Sequence, residues 1–200
     1  FFYFIFIITI FLIFFSLSDN YSYILLAITS SISNIGLSIE NYDYKEYFFF
    51  LILVIIGGSF FSTSSGIRFL KIYSLFKYSI NEILSYSRPK NVFVRKFLFT
   101  KINFELRDIY KYFLTLIIFV FSHFILTSIL SIGGINFEHA FKLSILTLMN
   151  TVNSSAYALE NFEFNELHFF SKNCLIFFMI IARLELLSLL IICKKFLFKN

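Results

Sequence analysis

Four stretches of this chain, 1–18, 47–67, 109–132 and 172–197, are long and apolar. Each is long enough to cross a bilayer, which takes about 20 residues in a helix. Nothing else in the sequence restricts the fold as much. The composition agrees: 58% of the 200 residues are apolar, 14% are charged, and mean hydropathy is +0.82. Soluble domains carry about 25% charged residues. Disordered, collagen-like and disulfide-scaffold classes are excluded, and an ordinary cytosolic enzyme is disfavoured. The 32 Phe residues and the absence of Trp read as coding bias. Spans are therefore argued from length and charge gaps. Residues 1–15 lack a basic leader and a small-residue cleavage site, so a secretory signal is a poor reading. The chain is expected to begin inside a transmembrane helix, as a piece of a longer protein.

Between the first two spans lies a shorter mixed stretch, Asn20–Ser38, and between the last two lies another, Phe137–Ser155. Each holds a semi-apolar run of roughly 10–14 residues, a length that suits a re-entrant segment. The order long, short, long then occurs twice, which is an internal duplication. The expected fold is an all-α integral membrane protein built from two helix–pore-loop–helix repeats. Residues 1–67 form one repeat, 68–108 a basic connector and 109–200 the other.

Orientation follows from Lys and Arg. Ten of the 17 lie between Arg68 and Lys111, and the C-terminus adds Lys194, Lys195 and Lys199. The connector and C-terminus are expected in the cytoplasm, with the re-entrant loops opening outward. Eight of the 12 acids fall on the outer side, among them Asp19, Glu40, Glu138 and Glu160. An acidic mouth concentrates cations; the plainer reading is that outer loops need polar residues. The net charge of +5 sits where the positive-inside rule puts it, so no nucleic-acid partner is expected.

Three features carry chemistry. The first is Ser33-Asn34-Ile35-Gly36-Leu37, where the chain turns back after the first re-entrant helix. Carbonyls of such a strand can replace the hydration shell of an ion, and Gly36 permits positive φ. An ordinary loop over a buried helix end is the alternative. The second is the run from Gly57 to Gly66, rich in Gly, Ser and Thr. Irregular backbone at membrane depth is tolerated inside protein or along a watery cavity. A helix contact of the Gly-xxx-Gly kind is the alternative. The third is Arg183, with nine nearly all apolar residues before it and ten after it in 174–193. Such a group faces a cavity or a partner, and Glu185 is not on its side of a helix. Cys174 and Cys193 lie roughly 28 Å apart along one helix and cannot pair. His123, His139 and His168 show no ligand spacing and are read as non-functional. No catalytic motif is present, so the chain is not expected to be an enzyme, and no covalently bound cofactor is expected.

At these places the sequence resembles the C-terminal half of a TrkH-type potassium transporter subunit, in the Trk/Ktr/HKT superfamily. Gly57-Gly58-Ser59-Phe60-Phe61-Ser62-Thr63-Ser64-Ser65-Gly66-Ile67-Arg68 resembles the family's GGxxGSTxGGIK stretch. Ala182-Arg183-Leu184-Glu185 resembles its GRLE. Gly36 with its flanks resembles the filter of its third pore loop, and Lys172 sits where the family often has Lys. The resemblance implies the third and fourth of four repeats around a K⁺ pore in the bacterial inner membrane. It also implies a homodimer and a cytosolic nucleotide-binding regulator of TrkA or KtrA type. The implied filter comprises Ser33, Asn34, Ile35, Gly36 and Leu37 with Asn150, Thr151, Val152, Asn153 and Ser154. The implied gate comprises Gly57, Gly58, Ser62, Thr63, Gly66 and the pore-facing Arg183. K⁺ is cargo, held by filter residues only. Two departures stand out. Phe61, Ser64 and Ser65 replace common Gly positions, and Val152 falls where the fourth filter would have Gly. A relaxed or Na⁺-conducting relative, or a non-conducting assembly subunit or fragment, are the rival readings.

Overall fold

The computed structural model of the protein describes residues 2–17, 21–37, 47–57, 67–86, 106–151, 157–159, 164 and 167–183. Among these residues the fold is all-helical. Seven α-helices occur: α1 (Phe2–Leu17), α2 (Tyr21–Ser33), α3 (Tyr47–Ile56), α4 (Phe69–Tyr86), α5 (Leu106–Ile132), α6 (Phe137–Met149) and α7 (Phe169–Arg183).

The hydroxyl residues do not break these helices, because they hydrogen-bond within them. Thr9 donates to Phe6 O at 2.8 Å, Thr29 to Leu25 O at 2.7 Å, and Thr115 to Lys111 O at 2.8 Å. This back-bonding satisfies the side chain without a partner outside the helix. Helix ends are set by residues that accept positive φ. Gly57 (φ 66) stops α3 and donates its N–H to Leu53 O at 3.0 Å, a single αL cap. Gly134 (φ 92) stops α5, its N–H donating to Ser131 O at 3.1 Å and the Ile135 N–H to Leu130 O at 3.3 Å.

Packing follows the duplicated order. Helix α2 packs on α1 and α3, and α6 packs on α5 and α7; α3 against α6 joins the two groups. Phe50, Leu53 and Val54 of α3 and Leu146 and Met149 of α6 belong to the shared core. Helix α6 is buried at Ala140 and continuously from Lys142 to Met149. The α5–α6 turn presses against the start of α7, where a Cβ on Gly133 would collide with Ser171 Oγ.

The outer faces are apolar instead of polar. Phe4 is 64% exposed on α1, Phe121 65% on α5 and Phe177 60% on α7. Contiguous apolar surface of this kind marks a partner or a membrane. Among the described residues one helix is long and apolar enough to cross a bilayer, over Arg107–Ile132. Other apolar helices are shorter: Tyr3–Ile13, Tyr21–Ser33, Tyr47–Ile56 and Phe169–Ala182.

The first part of the connector is the helix α4, 18 residues long, an element the sequence reading does not assign. Apolar residues at 69, 70, 72, 73, 76 and 80 form a helical stripe that the density of basic residues obscures. Phe69 anchors this helix against α1, its ring 5.2 Å from Tyr3 and 5.1 Å from Phe6. Helix α4 also packs on α5.

Candidate functional site

Helices α2 and α6 are both 13 residues long, and both end on an Asn in the left-handed conformation. Asn34 has φ 58 and Asn150 has φ 54. Asn tolerates this region better than other non-Gly residues. The hydrogen bonds match as well. Asn34 N–H donates to Ser31 O at 3.3 Å, and Ile35 N–H to Ser30 O at 3.1 Å. In the second helix, Asn150 N–H donates to Thr147 O at 3.1 Å, and Thr151 N–H to Leu146 O at 2.9 Å. Both are Schellman caps with the same spacing.

The two ends meet. Asn34 Nδ2 donates across to Met149 O at 3.5 Å, a long contact between the last turns of α2 and α6. A second tie runs from Ser31 Oγ to Tyr157 Oη at 3.3 Å. Tyr157 is completely buried, and burial pushes its phenol up to about 12, with the Ser31 contact opposing. The phenol is therefore neutral at physiological pH. Two helix C-termini side by side present partial negative charge, which favours a cation. Buried polar atoms gather there too. Among the described residues, Ser30 Oγ, Asn150 Nδ2 and Thr151 Oγ1 have no hydrogen-bond partner.

The sequence-predicted filter residues divide accordingly. Ser33, Asn34, Ile35, Gly36 and Leu37 follow one another through the first cap, with Asn34 and Gly36 buried and Ile35 and Leu37 exposed. The Ser33 hydroxyl is already committed to Thr29 O at 2.7 Å. Gly36 takes φ 80, the conformation for which glycine was expected there. Asn150 and Thr151 form the second cap, while Val152, Asn153 and Ser154 lie outside the described residues. Counting from the caps, Val152 holds the place of Gly36. Of the gate, Gly57 ends α3 and is buried, and Arg183 is the last residue of α7. Gly58, Ser62, Thr63, Gly66 and the Arg183 side chain lie outside the described residues.

Two polar clusters around α6 were not foreseen. Ser144 Oγ lies 2.7 Å from His123 Nδ1, 2.8 Å from Thr127 Oγ1 and 2.8 Å from Phe141 O. One assignment satisfies all three: Ser144 donates to Phe141 O and accepts from His123 and Thr127. His123, set aside as non-functional, thus helps fix α6 against α5. His123 and Thr127 stand four residues apart on an apolar helix, which is the sequence signal for such a face. The other cluster is Lys142, 3% exposed, with Nζ 2.6 Å from Glu138 Oε1 and 4.1 Å from the Tyr47 ring centroid. The hydrogen bond and charge of Lys142 hold the Glu138 carboxyl below its ordinary value. A buried ammonium survives because a carboxylate and an aromatic face both serve it. Nothing in the sequence pattern signals the burial of Lys142 against α3.

Among the described residues no group of three or more His, Cys, Asp or Glu side chains could hold a metal ion. No protein-family model matches the chain, and no curated protein matches it as a relative.

Proposed function

We propose that the chain is part of a K⁺ uptake pathway in a membrane, forming two of the repeats that surround a cation pore. The observation that carries this reading is the pair of identical αL caps, which bring the C-terminal ends of α2 and α6 within 3.5 Å. Two converging negative helix ends favour a cation, and backbone oxygens beyond such ends can replace an ion's water. The apolar outer faces of α1, α5 and α7 support a lipid surrounding, and the acidic outer segments support a cation-rich mouth. Ions lose water against the strands around Ser33–Leu37 and Asn150–Ser154, pass Arg183 and the Gly57–Gly66 segment, and leave on the side of the basic connector. No bond is made or broken, so the reading is not enzymatic. The resemblance adds a bacterial inner-membrane setting, a homodimer and a cytosolic TrkA- or KtrA-type regulator to the proposal.

A second reading has one observation in its favour. Gly36 uses φ 80 in the first arm, whereas the second arm carries Val152 at that place. A β-branched residue resists positive φ, and on this reading selection between K⁺ and Na⁺ is relaxed.

Rubidium uptake tests both, in cells that lack their own K⁺ uptake and express the longest native reading frame containing this segment. Competition by K⁺ and not by Na⁺ is expected. Equal competition selects the relaxed pore. No uptake from protein shown to be in the membrane, even with the regulator co-expressed, discards conduction in favour of an assembly subunit. Arg183→Ala is expected to raise flux.

A further inference from the structure

Helix α4 is the least apolar on average of the seven described helices, and the most one-sided. Phe69, Ile72, Tyr73, Phe76, Ile80 and Ile83 follow a helical spacing and share one face. The stripe starts in contact with the protein, where Phe69 meets Tyr3 and Phe6. It then runs on uncovered: Phe76 is 66% exposed, Ile80 41% and Ile83 66%. The protein covers the opposite side instead. Ser74 is 1% exposed there, and its hydroxyl is spent on Leu70 O at 2.7 Å. A surface helix of a soluble protein does the reverse, with its apolar stripe towards the core.

Position, charge and composition together say what covers the stripe. Helix α4 packs on α5 and, through Phe69, on the first two turns of α1. Its uncovered stripe thus adjoins two helices whose outer faces are apolar. Tyr3, Tyr110 and Tyr112 stand at the starts of those helices, and Tyr73, Tyr78 and Tyr86 on α4 itself. Tyrosine gathers at the membrane–water interface. Between Arg68 and Lys111 ten Lys and Arg stand against three acids, Glu82, Glu105 and Asp108. A basic segment beside a bilayer is drawn to anionic headgroups. Helix α4 carries Lys71, Lys77 and Glu82, and among the described residues only Arg107–Ile132 is long and apolar enough to span. Strong one-sidedness with low average hydrophobicity marks a helix that lies in the interface plane.

We propose that α4 lies in the headgroup plane on the basic side of the membrane, with Phe76, Ile80 and Ile83 among the acyl chains, and that this seat selects anionic over zwitterionic phospholipid. It rests on the membrane setting proposed above, but not on conduction or on the identity of the ion. Only Ile67 and Arg68 separate α4 from residues 57–66, the segment read as a gate. An anionic leaflet would therefore hold the chain directly beyond that segment.

The test uses the whole chain in nanodiscs of equal parts phosphatidylcholine and phosphatidylglycerol. An acyl-chain diazirine is carried by the phosphatidylglycerol in one preparation and by the phosphatidylcholine in the other. Phosphatidylglycerol is expected to label α4 peptides holding residues 76–83 at least threefold more than phosphatidylcholine does. Peptides of α5 should take up the two alike and report membrane contact in general. About 0.5 M NaCl shortens the screening length to a few ångströms and should bring the α4 ratio close to one. Phe76→Ser with Ile83→Ser changes only exposed side chains, and should lower α4 labelling at least fivefold while α5 stays labelled. Ile80→Asn is the lighter variant should that pair fail to give a monodisperse helical protein. Labelled α5 with unlabelled α4 overturns the seat and assigns the stripe to protein, whether a second copy or another chain. Equal labelling of α4 by the two lipids, a preference that salt leaves unchanged, or undiminished labelling of a folded variant overturns it too. If neither α4 nor α5 is labelled, the membrane setting falls and the seat with it. Rubidium uptake is read separately. Labelled α4 without uptake removes the ion pathway and keeps the seat, whereas uptake with α4 unlabelled removes the seat alone.

Discussion

The two helix groups solve the same problem with different neighbours. Helices α2 and α6 have equal length and equal caps, but α2 exposes Tyr21 and Leu25 while α6 is buried from Lys142 to Met149. The second helix is tied through Ser144 to α5 and through Lys142 towards α3, the first through Ser31 to Tyr157. Beyond the caps the order reverses. The first arm has glycine at its positive-φ position, and the second has Val152 at the matching place. The lesson is that cap geometry and arm geometry are separable. A Schellman cap needs one residue tolerant of αL, and Asn supplies it twice; the arm beyond has its own requirement.

Exchanging the arm residues is the strongest way to break this comparison. Gly36→Val forces a β-branched residue into φ 80, and left-handed backbone costs roughly 1–2 kcal/mol per non-glycine residue. Loss of rubidium uptake or of discrimination against Na⁺ by tenfold or more is expected. Val152→Gly should sharpen discrimination instead. Unchanged selectivity in Gly36→Val would remove the filter assignment of the first arm.

Next in size is the turn that seats the second group. Gly133→Ala drives a methyl into Ser171 Oγ, and overpacking costs about 1–3 kcal/mol. A lower thermal unfolding midpoint in detergent is expected, with partial recovery when Ser171→Gly is added. No recovery would mean that the two residues do not touch.

The polar ties give a smaller and asymmetric pair. Ser144→Ala strands His123 Nδ1 and Thr127 Oγ1 in the interior, worth about 1–3 kcal/mol. Ser31→Ala loses one longer contact, 3.3 Å, and strands the buried Tyr157 hydroxyl alone, about 1 kcal/mol at the low end of that range. Thermal midpoints should fall further for the first. Equal shifts would show that α2 and α6 are held alike.

The smallest effect is the pH response of Glu138. Its folded pKa is depressed below the ordinary 4.5 by Lys142. The ion pair thus contributes stability above about pH 4.5, and loses it as pH falls through the lower folded value. The wild-type thermal midpoint should fall in that acid range by slightly more than that of Glu138→Gln, and the two should run parallel from pH 5 to 8. A divergence near neutrality would assign the titration to another group.

Much of the fold was legible because helices in an apolar setting are specified locally. The short stretches at Asn20–Ser38 and Phe137–Ser155 became α2 and α6, and Gly57 ended α3 where small residues begin. Helix α4 was missed because its apolar stripe lies within the most basic part of the chain. At Gly36 the positive φ was legible, because that backbone conformation favours glycine. The site was not legible at Lys142, His123 or Tyr157, whose roles depend on residues 21 to 126 positions away in sequence, or on a ring from another helix.

By itself, the sequence determined the apolar stretches, their long–short–long order, the charge asymmetry and the residues that tolerate positive φ. These are properties of single residues and short windows. Only the tertiary structure decided that the two capped ends meet, that a lysine is buried between a carboxylate and a tyrosine ring, and that α6 is held through one serine. Those outcomes depend on which helix faces pack together, and the hydropathy of an apolar helix is too uniform around its axis to specify that.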